Sequence, residues 1–109
     1  MTGKMTIVAK SWGREIWWAD TEHYMGKTLI INPNCSTSLH YHEYKDETML
    51  VVRGDLIIEN GASHGRDFTE GMAARIEPGK QHRLKAGSSG VTLIEVSTPH
   101  PSDSVRVVG

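Results

Sequence analysis

Short runs of β-branched and aliphatic residues, each ended by turn-forming residues, constrain the fold of this chain more than any other feature. Isoleucine, valine, leucine and threonine dominate most of these runs, which span 27–32, 38–42, 47–53, 56–59, 73–76, 82–85 and 91–97. Between them lie turn signals such as Asn32–Asn34, Arg53–Asp55 and Ala86–Gly90. No segment of a dozen residues shows an apolar stripe at helical spacing. The pattern therefore predicts an all-β sandwich or barrel.

Length and charge narrow the possibilities further. A chain of 109 residues is expected to form one domain with a core that needs no disulfide. The net charge is −1 and there is no basic run, so we expect no nucleic-acid partner. No apolar stretch approaches membrane-spanning length, and Met1–Lys10 lacks the apolar core of a signal peptide. Together with the single cysteine, Cys35, this predicts a cytoplasmic protein that contacts no membrane.

Three histidines and one glutamate have the spacing of metal ligands. His40 and His42 are two residues apart in a predicted strand, so both side chains point to one face. Glu47 follows on the next strand, and His82 lies just behind the turn that contains Pro78. Neutral imidazoles and a carboxylate suit zinc, iron, manganese, nickel or cobalt without a thiolate. The four residues therefore predict a site for one divalent metal ion.

The remaining histidines carry no such signal. His23, His64 and His100 lack partners at any ligand spacing, so we expect them at the surface.

The alternation of side chains along a strand predicts which neighbours of Glu47 point to the same face. If Glu47 points inward, Met49 and Val51 do so as well, and Leu50 and Val52 face the other way. Both faces of this strand are apolar, so we expect both to be covered. A second sheet or a partner chain must supply that cover.

For two charged residues on other strands, the alternation of side chains does not decide whether they point into the barrel or toward solvent. Glu95 shares a strand face with Val91 and Leu93. It is either a ligand-contacting carboxylate inside the barrel or a residue that faces solvent. Lys27, on a face with Leu29, raises the same question. An acid and a cation that reach into one pocket would suit a polar or anionic ligand, with Glu95 and Lys27 as candidate catalytic residues.

The three tryptophans lie outside the core pattern. Trp12, Trp17 and Trp18 belong to a segment that resembles an edge strand with large apolar side chains. The rings either cap one end of the barrel or pack against a second subunit. We favour the second interpretation, which predicts a homodimer.

The histidine spacing resembles the two sequence motifs of the cupin superfamily. The first motif, Gly-(x)5-His-x-His-(x)3,4-Glu-(x)6-Gly, is matched at His40, His42, Glu47 and Gly54, with Asn34 in place of the leading glycine. The second, Gly-(x)5-Pro-x-Gly-(x)2-His-(x)3-Asn, is matched at its glycines and its histidine, with the proline displaced by one position and Ala86 in place of the asparagine. The matching positions of the second motif are Gly71, Gly79 and His82. The resemblance implies a double-stranded β-helix (a jelly-roll barrel) with His40, His42, Glu47 and His82 as metal ligands.

Outside the motifs, the chain is similar to small cupins of the mannose-6-phosphate isomerase-like, type II group. The segments that carry this likeness are Ser11–Gly13, Gly26–Lys27, Lys45–Thr48 and Ile94–Pro99. It implies a single cupin domain in which residues 1–26 form an edge or interface segment, 27–97 the barrel and 98–109 a tail. Three departures stand out. His40 stands where that group usually has a glutamine, Lys45 replaces an arginine, and the C-terminal Tyr-Gly-Arg segment is missing.

The resemblance implies a metal-dependent enzyme that isomerises a small sugar or sugar phosphate. In that reading the metal polarises a carbonyl, Glu95 moves a proton between adjacent carbons, and Lys27 balances the charge of the anion. Two alternatives stay open: an iron-dependent dioxygenase, because three histidines and a glutamate also hold iron, and a sugar-binding or regulatory cupin without catalytic activity.

Overall fold

The computed structural model describes residues 5–61 and 65–108, and within them every regular element is a β-strand. The strands are β1 (Thr6–Lys10), β2 (Gly13–Asp20), β3 (Met25–Ile31), β4 (His40–His42), β5 (Glu47–Glu59), β6 (Arg66–Phe68), β7 (Ala73–Ile76), β8 (Arg83–Ser97) and β9 (Ser104–Arg106). The all-β prediction is therefore confirmed. Among these residues no helix exists that could span a membrane.

Antiparallel pairing links the strands into two sheets. The larger has seven strands in the order β1-β2-β3-β8-β5-β6, with β7 also paired to β5, and the smaller consists of β4 and β9. β1 forms the edge of the larger sheet, so the tryptophan-bearing β2 lies one strand further in. The tail crosses the molecule, because β9 pairs with β4 and sets Arg106 opposite His40 and Ser104 opposite His42.

Two predicted turns are instead irregularities within long strands. The turn at Arg53–Asp55 lies inside β5, and the one at Ala86–Gly90 lies inside β8, so the sequence prediction was wrong at both places. The register between β5 and β8 shifts on both sides of Gly54. Gly54 has a φ of 86°, and a Cβ atom there would collide with the carbonyl oxygen of Gly90. Glycine marks a close approach of two backbones here, as it does in β-bulges.

The core lies on the inner face of the larger sheet, where parity placed it. Met49 and Val51 are 1% and 2% exposed, and they pack in one cluster with Leu29 and Leu93. The opposite face of β5 is open in the single chain, since Leu50 and Val52 are 40% and 47% exposed. Within the described residues of one chain, the inner face of β5 is covered as expected, but the outer face is not.

Candidate metal centre

β4 and the residue just before β8 bring the three histidines together. His40 and His42 are alternate residues of β4. His40 and His82 form a bridge in which each backbone N–H donates to the other's carbonyl, at 3.0 and 2.8 Å. The backbone N–H of Gly79 also donates to the carbonyl of His42, at 2.7 Å. These bonds fix the turn before β8 against β4, which is why His82 faces the His40–His42 pair.

The ring nitrogens of His40, His42 and His82 form a compact group. One nitrogen from each ring lies within 4.8 Å of the others. His40 Nδ1 lies 2.7 Å from the carbonyl oxygen of Ser38, and His82 Nδ1 lies 2.9 Å from that of Lys80. A carbonyl can only accept, so both rings carry their proton on Nδ1 and leave the Nε2 lone pair free. This is the tautomer in which imidazole binds a metal through Nε2.

Burial keeps two of the rings neutral. Desolvation and the charge of Lys45 lower the pKa of His42 to about 4, although Glu47 opposes the shift. Desolvation and the neighbouring His82 lower the pKa of His40. Histidine must be neutral to coordinate a cation, so both rings are ready for coordination near pH 7.

Glu47 points its carboxylate at two of these rings. Its Oε1 lies 3.3 Å from His82 Nε2, and its Oε2 lies 3.7 Å from His42 Nε2. Burial opposes the ionisation of Glu47, but the contact with His82 and the positive charge of Lys45 outweigh it and lower the pKa to about 2. The residue therefore stays an anion although its side chain is 1% exposed.

The chemistry of this donor set fits a divalent cation. The lone pair of His82 Nε2 faces an oxygen of the Glu47 carboxylate, and among the described residues this buried nitrogen has no hydrogen-bond partner. Two acceptors at 3.3 Å repel each other unless a proton or a metal cation lies between them. Ligand atoms about 2.1 Å from one ion are roughly 3.0–3.4 Å apart at octahedral or tetrahedral angles. The contact between His82 Nε2 and Glu47 Oε1 falls in this range, while Glu47 Oε2 lies 3.7 Å from His42 Nε2. The three histidines are therefore close enough to hold a metal ion, and Glu47 lies beside them.

Lys45 joins this group to a second carboxylate, Glu95. The Lys45 ammonium lies 2.9 Å from Glu47 Oε2 and donates to Glu95 Oε2 at 3.3 Å. Desolvation opposes the charge of Lys45, but the two carboxylates outweigh it and raise its pKa. Burial raises the pKa of Glu95, and the negative charge of Glu47 adds to the effect. Glu95 is 4% exposed. Its side chain therefore lies inside the barrel and does not face solvent.

Lys27 lies beside Glu95 in a row of side chains across the inner face. The strand register places Trp17 of β2, Lys27 of β3, Glu95 of β8 and Met49 of β5 side by side. The Lys27 ammonium lies 3.9 Å from Glu95 Oε2 and 4.6 Å from the centre of a Trp17 ring. A nearer partner is Glu15, at 3.4 Å. Lys27 is thus already balanced by acids of the chain itself.

Glu15 is a member of the site that sequence reasoning missed. It accepts a hydrogen bond from the Trp17 indole at 2.8 Å as well as one from Lys27. Burial works against its ionisation, yet the charge of Lys27 and the indole bond prevail and lower the pKa of Glu15. The available signal was parity, because Glu15 and Trp17 are two residues apart in β2 and share its inner face.

The charged and metal-ligating groups surround one cavity of about 180 Å³. At about 30 Å³ per water molecule this volume equals roughly six waters, which limits the occupant to a small molecule. Trp12 and Trp17 lie on the cavity wall, whereas Trp18 is 42% exposed on the outer face. The remaining lining residues include Lys10, Glu15, Lys27, Ser38, His40, His42, Lys45, Glu47, His82, Glu95, Pro101 and Ser104.

Asp103 of the tail is the second residue that the sequence did not single out. Its Oδ1 lies 3.2 Å from His42 Nδ1, on the side of the ring away from Glu47. Burial opposes its ionisation, but hydrogen bonds from the Tyr44 and Lys45 backbone lower the pKa of Asp103. The carboxylate thus lies directly behind a candidate metal ligand.

The other histidines lie outside this group. His23 is exposed, and His100 is half-buried with its Nδ1 3.0 Å from the Thr98 hydroxyl. His64 falls outside the described residues.

A family comparison covers the strands from β3 to β8. The family model described as "Cupin domain" matches residues 27–97, well over half of the chain. The chain belongs to the cupin family. No curated protein matches this cupin in sequence.

Solved structures show the same fold at low sequence identity. KdgF from Halomonas sp. has a TM-score of 0.78 at 20% identity, over 92% of this chain and 89% of that one. An RmlC-like cupin from Shewanella frigidimarina has a TM-score of 0.78 at 18% identity, over 92% and 88%. Oxalate decarboxylase from Bacillus subtilis has a TM-score of 0.81 at 16% identity, over 94% of this chain but 30% of that one. This cupin is therefore a double-stranded β-helix, as the sequence resemblance implied.

Proposed function

We propose that this cupin is a mononuclear metal enzyme that moves a proton between adjacent carbons of a small polar or anionic carbohydrate, in the manner of a type II mannose-6-phosphate isomerase-like protein. His40, His42, Glu47 and His82 would hold the cation, which is zinc, manganese, iron or nickel. The observation that carries the proposal is a buried acid, Glu95, in the same cavity as the convergent imidazoles.

A bound divalent cation supplies Lewis-acid polarisation of a substrate carbonyl. The chain's own contribution is the proton transfer, for which Glu95 is the candidate catalytic residue. Burial raises the pKa of Glu95, and a carboxyl group shifted toward neutral pH is a better base and a better acid. Lys45 donates to Glu95 Oε2, so the carboxylate keeps one orientation while its other oxygen, Oε1, carries the proton.

The walls of the cavity favour a small polyhydroxyl ligand. Lys27, Glu15 and Ser38 offer donors and acceptors, and Trp12 and Trp17 offer apolar ring surface. Lys27 is the second candidate catalytic residue. Its ammonium lies 3.4 Å from Glu15 and so balances the negative charge of the cavity wall. The same ammonium would orient a polar substrate. KdgF is one structural neighbour of the whole chain, and the likeness supports a single-domain cupin of this size.

The test has two stages. Elemental analysis of protein purified without a chelating tag is expected to give one transition metal per chain, and hexose and pentose phosphates are then screened for isomerisation. With an active substrate, Glu95→Gln should lower kcat by about 10²–10⁴-fold and leave the metal content unchanged. The control is Glu22→Gln, the same chemical change at an exposed position, which should leave kcat unchanged. Full activity of Glu95→Gln would refute the assignment of the base.

The same experiment separates the two alternatives. Iron in the purified protein and oxygen uptake with diols or thiols would favour a dioxygenase, which the three imidazoles and one carboxylate also suit. A metal-loaded protein that binds sugar phosphates without turnover would favour a binding or regulatory role. The buried Glu95 with its raised pKa is what supports the isomerase over both.

We also propose that a second copy of the chain covers the outer face of the large sheet. Leu50 and Val52 of β5 are exposed there, as is Val96 of β8, which is 50% exposed. The strand register sets Leu50 opposite Ile94, so the apolar strip continues across both strands. The strip is apolar apart from Thr48, which lies opposite Val96, and such a strip can pack against its own copy in a two-fold homodimer.

The oligomeric state tests this proposal directly. Size-exclusion chromatography with light scattering should give a dimer for the wild type and a monomer for Val52→Lys. The control is Val108→Lys, which places the same charge on a tail residue that is 89% exposed and should leave the dimer intact. A monomeric wild type at micromolar concentration would refute it.

We place the protein in the cytoplasm, since the single cysteine, Cys35, is a free thiol and free thiols persist in reducing compartments. Cell fractionation followed by immunoblotting tests this location, and recovery in an extracellular fraction would contradict it.

A further inference from the structure

Asp103 occupies a position between the tail and the candidate metal centre. Its Oδ2 accepts two hydrogen bonds from backbone N–H groups, those of Tyr44 at 2.8 Å and Lys45 at 2.9 Å. Its Oδ1 lies 3.2 Å from His42 Nδ1. Among the described residues neither of these two buried atoms makes a well-aligned hydrogen bond, and the 3.2 Å approach is a close polar contact between them. One carboxylate therefore contacts both a candidate ligand and the loop that follows it.

We infer that Asp103 is a positioning residue of the metal centre: it holds the His42 imidazole in the tautomer whose Nε2 lone pair faces the cation, and it thereby ties the docking of the C-terminal tail to metal binding. The inference rests on the proposed metal centre. It adds a residue and a coupling that the four ligands alone do not contain.

The three histidines differ in what orients their rings. His40 and His82 each face a backbone carbonyl two residues before them, at Ser38 and Lys80, so local backbone fixes both tautomers. His42 has a carboxylate from the far end of the chain in the corresponding position. A carboxylate behind a ligating histidine fixes the ring and raises its basicity as a ligand. His42 is thus the ligand whose geometry depends on tertiary structure.

The two oxygens of Asp103 act on consecutive parts of the site. The bonds from Tyr44 and Lys45 hold the loop between β4 and β5, and this loop leads directly into Glu47. Removal of the carboxylate would therefore release the His42 ring and loosen the approach to Glu47 together. By linkage, a cation that binds more tightly when the tail is docked must also stabilise the docked tail.

An asparagine in place of Asp103 separates its contact with His42 from its hydrogen bonds to the loop between β4 and β5. Its single amide oxygen can accept the bonds from the two backbone N–H groups, which turns its NH₂ group toward His42 Nδ1. His42 Nδ1 must then accept a hydrogen bond, and the ring proton moves to Nε2. Asp103→Asn should therefore keep the loop in place while it blocks the lone pair that a metal needs.

The test compares Asp103→Asn and Asp103→Ala with wild type and with Asp67→Asn, the same chemical change at an exposed position of β6. Zn²⁺ affinity is measured by competition with a chromophoric chelator. We expect a loss of about 10–100-fold for both Asp103 variants and none for Asp67→Asn. A second measurement on the metal-free protein uses ¹⁵N chemical shifts of the His42 ring, which should report Nδ1–H in wild type and Nε2–H in Asp103→Asn.

The outcomes are separable. Wild-type affinity in Asp103→Asn, or an unchanged His42 tautomer, would overturn the role of Asp103 even if Asp103→Ala fails to fold. A wild-type protein that binds no transition metal at all would overturn the proposed metal centre itself. In that case the ring shifts still decide whether Asp103 sets the tautomer of His42.

Discussion

The two halves of the cavity differ in how their charges and lone pairs are satisfied. In the half formed by His40, His42, His82 and Glu47, the metal half, a buried imidazole lone pair faces a carboxylate oxygen at 3.3 Å. In the other half, the charge half, each ammonium has a carboxylate partner, which lies at 3.4 Å from Lys27 and at 3.3 Å from Lys45. The remaining members of the charge half are Glu15 and Glu95.

The difference shows what each half needs from outside. Buried polar groups without partners cost free energy, so the metal half gains stability when a cation binds. The charge half is balanced already, and a ligand there exchanges hydrogen bonds without supplying a missing charge. Lys45 belongs to both halves, since its ammonium contacts Glu47 as well as Glu95. Glu47 and Glu95 therefore share one ammonium partner.

The largest expected effect breaks the metal half alone. His82→Ala removes a candidate ligand. Changes to the partners of metal ligands typically lower metal affinity by about 10–100-fold, and we expect the loss of Zn²⁺ affinity in His82→Ala to be larger than that. Glu15→Gln changes the charge half and should leave Zn²⁺ affinity as in wild type. Both are measured by chelator competition, with circular dichroism as a check on folding. Equal losses in the two variants would mean that the halves are a single unit.

The next effect concerns the charge half and appears as stability. Lys27→Met leaves Glu15 and Glu95 without a cation that lies 3.4 and 3.9 Å away. Because Lys27 is 5% exposed, we expect its loss to lower the free energy of unfolding by about 3 kcal/mol. The double variant Lys27→Met with Glu15→Gln should recover much of this loss, as judged by urea titration. Strictly additive losses would show that the Lys27–Glu15 pair contributes little.

The metal half was easier to predict from sequence than the charge half. Its four candidate ligands fall on short segments with fixed spacing, and strand parity alone put His40 beside His42 and sent Glu47, Met49 and Val51 inward. Burial confirms that the last three point inward. Local spacing is sufficient there because residues two apart in a strand share a face whatever the topology.

The residues that sequence reasoning missed depend on long-range register. Glu15 meets Lys27 because β2 pairs with β3 at one particular offset, and Asp103 meets His42 because the tail pairs with β4. No local pattern encodes either offset. The glycines of β5 and β8 were misread for a different reason, since hairpin turns and β-bulges both use glycine for its positive φ. Gly54 is such a case, with a φ of 86°.

The smallest expected effect is the pH dependence that Glu95 gives to stability. Burial raises its pKa in the folded state, so above the ordinary carboxyl value of 4.5 the unfolded chain releases its proton first. The free energy of unfolding should therefore fall as the pH rises from 4.5 to the raised pKa, by about 1.4 kcal/mol for each unit of the shift. Above the raised value the loss is complete, because both states are then ionised.

Glu95→Gln removes this contribution and keeps the shape of the side chain. Urea titrations of the metal-free proteins between pH 4.5 and pH 8 should show a shallower decline for Glu95→Gln than for wild type, with Glu22→Gln as the matched control. All other ionisable groups are the same in wild type and Glu95→Gln, so the difference between the slopes of these two proteins isolates Glu95. Parallel curves for wild type and Glu95→Gln would mean that the ammonium groups of Lys45 and Lys27 cancel the desolvation of Glu95. The charge half would then hold an ordinary carboxylate, and the proton transfer would need another base.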